Sequence, residues 1–313
     1  MEEALTELLQ DATAGDPITG IKWAKKTPRK LSRQLKRRGF KVSHETVRRL
    51  LRQRGYALRV NRKRLSKKQA AERDRQMRYV ARCRKAFLKA GKPVISVDAK
   101  KRELVGNFKH AGRTWRQTAR EVWEDDYPSE AEGVAIPYGI YEIAPDHGFV
   151  VVGTSHQTPE FVIAAIRTWC RVRGQALFAK HRELLIEADG GGGNGHRCWL
   201  WKWGLQQLAD EFNLTITVTH LPTGASKWNP VEHRLFSFIS GNWEGEPLIS
   251  YETVLKFIRT TKTETGLRCQ ARLDKHVYKT GRKITPEQKA QINIVPHRVL
   301  PKWNYTIKPH SHR

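Results

Sequence analysis

A mixed α/β sheet with helices on both faces, preceded by an all-α basic domain, is the architecture this sequence predicts. Three observations lead there. Positive charge is gathered at the front of the chain, two short amphipathic helices lie inside that basic stretch, and the remainder alternates apolar strands with helices. The 313 residues carry 58 Lys and Arg against 31 Asp and Glu, a formal charge of +27. Residues 21–92 hold 28 of those bases and 3 acids, whereas residues 1–20 hold 5 acids and no base. With 39% apolar residues, 10 Trp and 10 Phe, the chain can build a core rather than stay disordered. Its length allows about two domains. No run approaches the roughly 18 apolar residues of a membrane span, and the start, Met1-Glu2-Glu3-Ala4, has neither the basic nor the apolar part of a secretory leader. Cys83, Cys170, Cys198 and Cys269 form no Cys-x-x-Cys pair. We therefore expect no disulfide framework, no cysteine zinc site, no membrane, and a reducing, cytoplasmic setting.

The basic domain is built in order from Thr27, which reads as an N-cap with Pro28 at the first helical position. Leu31 and Leu35 then fall on one face, and Gly39 supplies the stop. Ser43 caps a second helix that places Val47, Leu50 and Leu51 together and ends near Gly55. Two such helices around a tight turn predict a helix-turn-helix, whose second helix enters the major groove. Ser43, His44, Thr46, Arg48, Arg49 and Arg52 are the candidate DNA-binding residues of that helix. The N-terminal ones would reach base edges and the arginines guanines or phosphates. Concentrated positive charge itself calls for a polyanion, because neutralised phosphates release condensed counterions. Double-stranded DNA is the expected partner; a merely solvated basic face is the alternative. Residues 66–90 predict a long basic helix stopped by Gly91-Lys92-Pro93.

Beyond Pro93 the pattern changes. Residues 94–98, 136–143 and 149–153 read as strands, the last two joined by the turn Pro145-Asp146-His147-Gly148. Thr158-Pro159 opens a helix to about residue 173. Residues 184–189 form a strand that runs into four glycines, residues 197–212 a helix, 214–219 a strand, and Asn229-Pro230 opens a helix to about residue 239. Three strands, then helix and strand in alternation, is the order of a ribonuclease-H-like fold, in which the first and fourth strands are neighbours. The expected domains are an acidic segment (1–20), the helix-turn-helix (21–65), a basic linker helix (66–92), the ribonuclease-H-like core (93–245) and an extension packing on that core (246–313).

Three acids are singled out by position. Asp98 ends the first strand, Asp189 ends the fourth, and Glu232 lies in the first turn of the last helix. Gathered carboxylates repel one another unless a divalent cation sits among them, and Mg²⁺ favours hard oxygen ligands. Two such ions roughly 4 Å apart would suit in-line displacement at phosphorus. Each acid also has a plain alternative: a turn residue for the two aspartates, a capping box with Asn229 for Glu232. Glu187 shares a strand face with Asp189 and is a rival ligand. The glycines at 190–193 lack a Gly-Lys-Ser/Thr ending, so they predict close backbone approach rather than a nucleotide loop. His196-x-Cys198 and His310-x-His312 are too sparse for zinc, and the last pair suits a tail. Trp199 and Trp203 are expected in the core and Trp201 off that face. Trp228 is a candidate for stacking on a base.

Three runs now combine: VDAKKRELVG (97–106), EADGGGGNG (187–195) and SKWNPVEHRLF (226–236). Together with AIPYG (135–139), Asn242-Trp243 and WNYTI (303–307), they resemble the Rhodopirellula-type DDE transposases of the Azoarcus-named insertion-sequence family. The resemblance spans nearly the whole chain. It implies Asp98, Asp189 and Glu232 as the metal-binding set, Mg²⁺ or Mn²⁺ as cofactor, and DNA cleavage with strand transfer at element ends. It also implies a dimer or larger assembly on DNA. Lys100, Lys101, Asn194, Arg197, Lys227 and His233 flank the acids and are candidates to hold phosphates or orient carboxylates. A DNA-binding regulator, an inactive transposase and a nuclease that does not join ends are the competing expectations.

Overall fold

The computed structural model describes residues 1–10, 13–15, 22–24, 27–57, 70–222, 224–225 and 228–310. It divides into two compact units, residues 1–65 and 66–313.

The first unit contains α1 (Glu2–Gln10), a small antiparallel pair β1 (Thr13–Gly15) and β2 (Lys22–Ala24), α2 (Pro28–Arg37) and α3 (His44–Gln53). The caps form as expected. The Thr27 hydroxyl accepts from the Lys30 amide at 3.3 Å and the Ser43 hydroxyl from the Thr46 amide at 3.1 Å. Gly39, at φ +87°, makes the left-handed turn between α2 and α3. Leu31, Leu35, Val47 and Leu50 are buried against Leu5, Leu8 and Leu9 of α1. The acidic α1 is thus part of this core, and Glu7–Arg38 and Glu2–Arg54 pairs lie at its rim. Exposed pairs contribute little; the leucines hold the helix.

The second unit opens with α4 (Ala70–Lys89). Residues 58–69, which include the expected start of that helix, lie outside the described residues. Then follow β3 (Val94–Ala99), β4 (Glu103–Val105), β5 (Gly133–Glu142), β6 (His147–Gly153), α5 (Pro159–Trp169), α6 (Gln175–Phe178), β7 (Glu183–Ala188), α7 (Trp199–Phe212) and β8 (Thr215–His220). A π-helical turn, Glu232–Phe236, leads into α8 (Ser237–Asn242), and α9 (Tyr251–Thr260), β9 (Arg268–Asp274), α10 (Pro286–Ala290), β10 (Ile294–Pro296) and β11 (Asn304–Ile307) complete the chain. The strands form one mixed sheet in the order β10-β11-β8-β7-β3-β5-β6-β9, with β4 beside β5. The antiparallel meander β3-β5-β6 and the parallel neighbours β3-β7-β8 are the expected connections. One apolar cluster packs α5 and α7 on the sheet, and a second packs α8 and α9 on the opposite face. Helices on both faces explain why the central strands are buried almost throughout.

Two expectations are corrected. Trp201 is fully buried, its indole N–H donating to the Tyr305 hydroxyl at 3.0 Å, and the half-buried Trp199 and Trp203 pack against the same core, as expected. The residues beyond 246 cause this. They add β11 to the sheet under α7 and bring Lys289 over the Trp199 ring. His310 belongs to no loose tail: its ring meets Asp210 at 3.1 Å. His312 lies outside the described residues.

Candidate active site

The site starts from strand register. β3 and β7 run parallel with Val97 opposite Ala188, so Asp98 and Asp189 occupy the next position on adjacent strands. Parallel neighbours are about 4.8 Å apart, and two acids 91 positions apart in sequence thus become neighbours. Gly139 pairs with Asp98 across β5. A Cβ there would stand 2.5 Å from the Phe236 ring and 3.0 Å from Val231, so glycine lets the segment bearing Glu232 lie against the sheet.

Asp98 is held at both oxygens. Oδ1 accepts from the Ala99 amide at 2.8 Å and Oδ2 from the Asn229 side-chain amide at 2.9 Å. The Asn229 carbonyl oxygen accepts from the Ser96 hydroxyl at 2.6 Å, and that hydroxyl accepts from the Val231 amide at 3.2 Å. This corrects the capping-box alternative. Asn229 is occupied with β3, Ser96 caps the helical turn from outside, and Glu232 is released from a capping role. The turn it begins is π-helical, a geometry frequent at functional sites.

Asp189 follows β7 directly. Burial above all pushes its carboxyl up, with the Glu232 charge adding to it, against the Gly191 amide and the Asn194 side chain, which draw it down. Its Oδ1 is buried without a hydrogen-bond partner. Burial, then the charges of Asp189 and Glu232, raise the Asp98 carboxyl to about 8. Burial raises Glu232 as well, while His233 and Lys100 draw it down. The charges of Asp189 and Glu232 thus act on Asp98, and that of Glu232 on Asp189. Behind Asp189 runs a buried polar chain that sequence inspection misses. His220 Nδ1 lies 2.9 Å from the Asp189 carbonyl oxygen and its Nε2 3.2 Å from the Tyr305 hydroxyl. Burial lowers His220 to about 3, so the ring is neutral. Nδ1–H then donates to the carbonyl and Nε2 accepts from Tyr305, which leaves every group paired. The Gln76 amide of α4 donates to the His220 carbonyl at 2.7 Å. No local signal marks these residues; their partners come from four distant segments.

Glu187, the rival ligand, is fully buried and bound by Arg84 of α4, at 2.8 and 2.5 Å. The glycine run has a packing role: a Cβ on Gly193 would meet the Thr158 carbonyl oxygen at 3.0 Å. Lys100 is half-buried, bonded to Glu103 at 2.6 Å and lying 4.6 Å from the Trp243 ring centroid. Lys101 and Arg197 are exposed, Asn194 is buried beside Asp189, and His233 is exposed next to Glu232. Lys227 lies outside the described residues. Trp228 is exposed and lies under the Arg73 guanidinium at 5.5 Å. In the first unit Arg48, Arg49 and Arg52 are exposed on α3, Ser43 and Thr46 bond to each other at its start, and His44 lies 3.3 Å from Glu45. His196 stands edge-on to His220 rather than in a zinc cluster.

The donor set suits Mg²⁺ or Mn²⁺. It consists of carboxylate oxygens, one of them buried and unpartnered, whose mutual repulsion a divalent cation relieves. Among the described residues no group of three His, Cys, Asp or Glu is gathered closely enough to hold a metal ion together. Mg²⁺ needs no such group, since it usually binds through one or two carboxylates with waters and substrate phosphates.

The model of the Rhodopirellula transposase DDE domain matches residues 4–309. The chain belongs to that family. Among solved structures this DDE-family chain is similar to the Mos1 transposase paired-end complex with left transposon end (14% identity, 82% of this chain and 69% of that one, TM-score 0.43). It is also similar to the mariner Mos1 paired end complex with Mg (15% identity, 82% and 69%, TM-score 0.44) and to the catalytic domain of Mos1 mariner transposase (15% identity, 62% and 80%, TM-score 0.41). No curated protein matches the sequence. Among the described residues no helix of this DDE-family chain is long and apolar enough to cross a membrane.

Proposed function

We propose that this transposase cuts DNA at the ends of an insertion sequence and joins the freed 3′-hydroxyls to target DNA. The core acts as a ribonuclease-H-like domain, and α2 and α3 act as a helix-turn-helix that docks the element ends. One observation supports this most: Asp98 and Asp189 stand side by side on adjacent parallel strands, with Glu232 near enough to raise both. These three residues would hold two Mg²⁺ or Mn²⁺ ions, which polarise phosphoryl oxygens and offset the charge that develops in the displacement.

The chain's own groups prepare that site. Ala99 and Asn229 fix the Asp98 carboxylate, and the His220–Tyr305–Trp201 chain fixes the backbone at Asp189. Lys100, steadied by Glu103, adds positive charge beside Glu232 where a phosphate would enter. In the first reaction a water oxygen bonds to phosphorus, the bond to the departing 3′-oxygen breaks, and that oxygen takes a proton. In the second the 3′-hydroxyl attacks a target phosphate, exchanging one phosphodiester for another. On α3 the exposed Arg49 and Arg52 have no ion-pair partner among the described residues and would meet phosphate or guanine. Holding two ends at once calls for a dimer or larger assembly.

The test is cleavage of labelled element ends with Mg²⁺ or with EDTA. Losing a metal-holding carboxylate removes several kcal/mol of transition-state stabilisation. Asp98→Asn should therefore slow cleavage by at least about 10³-fold and leave DNA affinity unchanged. Wild-type binding with no metal-dependent product would mark a regulator instead, and cut ends that never join would mark a nuclease.

A further inference from the structure

Two cavities, of about 650 and 560 Å³, lie along the segment joining β4 to β5. They share Lys109 and His110 as lining, so they form one groove. Lys100, whose charge is felt by Glu232, stands at one end, and Arg116 and Arg120 stand at the other. Residues 100–120 carry seven Lys and Arg and a single acid, Glu103. Glu246 pairs with Arg116 and Arg120 and so fixes their position. Lys101, Lys109 and Arg113 have no carboxylate partner among the described residues. Glu244 also lines the groove, and Asp126 is felt by His110. In the middle of this segment the Trp115 side chain is fully exposed.

An indole left wholly in water on a segment rich in cations suits a stacking platform on an electrostatic track. We infer that this groove and its rim, where Arg113 and Trp115 alternate with the lining residues Gly112, Thr114 and Arg116, hold a single-stranded stretch of DNA leading away from the scissile phosphate. Lys101, Lys109 and Arg113 take its phosphates, and an unpaired base stacks on Trp115. The inference rests on the reaction proposed at the three acids and adds the form of DNA that the site requires. A duplex keeps its base faces covered and offers Trp115 nothing to stack on. A second copy of the chain would need an apolar surround, whereas the residues flanking Trp115 are Arg113, Thr114, Arg116 and Gln117.

The test is fluorescence anisotropy of a short oligo-dT and of a duplex of equal length, with the full chain in EDTA. Trp115→Ala should weaken oligo-dT binding about ten-fold or more, leave duplex binding unchanged, and be largely rescued by Trp115→Phe. Lys109→Ala should lower the slope of log affinity against log salt by about 0.7, as for one phosphate contact on a single strand. Absence of oligo-dT binding, equal losses on both DNAs, or an unchanged affinity would each overturn the inference. So would a dimer that Trp115→Ala dissociates without changing DNA affinity, since a second copy would then be the occupant. Because binding is read without metal, the groove and the catalytic proposal can fail independently.

Discussion

Replacing Arg84 by Met tests how the neighbourhood of Asp189 is held. Glu187, two residues before Asp189, has no exposed side-chain surface, and both its oxygens accept from the Arg84 guanidinium. Methionine keeps most of the apolar stem and removes the charge. Breaking a buried pair from one side costs about 3–5 kcal/mol, because the remaining charge is stranded. At about 2–4 °C per kcal/mol for a unit of this size, the unfolding midpoint should fall by about 6–20 °C at pH 8. The loss should depend on pH with a definite sign. Burial already pushes the Glu187 carboxyl up, and Arg84 partly draws it back. Without Arg84 the folded protein keeps a proton that the unfolded chain releases above about pH 4.3. Stability of Arg84→Met therefore declines as pH rises from there through the raised folded value, and the penalty is smallest near pH 5. The double variant Arg84→Met/Glu187→Leu removes both charges and should recover the midpoint, since apolar replacement of a buried pair is neutral or favourable by about 1–4 kcal/mol. Thermal unfolding followed by circular dichroism at both pH values measures all of this. An equal loss at pH 5 and pH 8, or a double variant no more stable than the single, would refute the pairing as the source of stability. The double variant should also retain the proposed Mg²⁺-dependent cleavage, because both Glu187 oxygens are taken by Arg84.

In metal-free buffer, Asp98 near 8 means that the folded state binds a proton the unfolded chain has lost, so stability should decline between about pH 4 and 8. Mg²⁺ at a hundred times its Kd should restore about 2.7 kcal/mol, and Asp98→Asn should flatten the decline; a slope unchanged in that variant contradicts the assignment. His220→Phe strands the Asp189 carbonyl and the Tyr305 hydroxyl, at about 1–3 kcal/mol each. It should also raise the Mg²⁺ concentration for half-maximal cleavage, and His220→Asn, which restores a donor, should recover part of both effects in denaturation and Mg²⁺ titration. Leu35→Ala opens the core of the first unit at about 2–5 kcal/mol. Specific DNA affinity should fall while the unfolding transition of residues 66–313 stays in place, a separation that calorimetry on the full chain would reveal.

Local chemistry made much of this molecule legible in advance. Thr27 and Ser43 announced two helix starts because a hydroxyl before a periodic apolar run has one favourable use, and both hydroxyls are found accepting the expected amides. The strands of the central sheet were visible as apolar runs closed by turn residues. β9, β10 and β11 escaped notice: β9 alternates exposed and buried positions at an edge and carries Arg268, Arg272 and Asp274, and the other two have only three and four residues. The burial of Trp201 is hidden in the sequence for the same reason, since β11, the strand carrying its partner Tyr305, is one of these.

Taken alone, the sequence determined which residue types stand at strand ends, where helices begin, and that the surplus charge belongs to residues 21–92. Those properties depend on near neighbours along the chain, so they are written locally. Folding decided what each acid faces: Glu187 an arginine, Asp98 an asparagine once assigned to a cap, and Asp189 a carbonyl-bound histidine at its back. Such partners are set by strand register and by the packing of α4 and the C-terminal strands. A carboxylate's charge, and its freedom to hold a cation, is fixed by whatever lies within a few ångströms in space, which separation along the chain does not reveal.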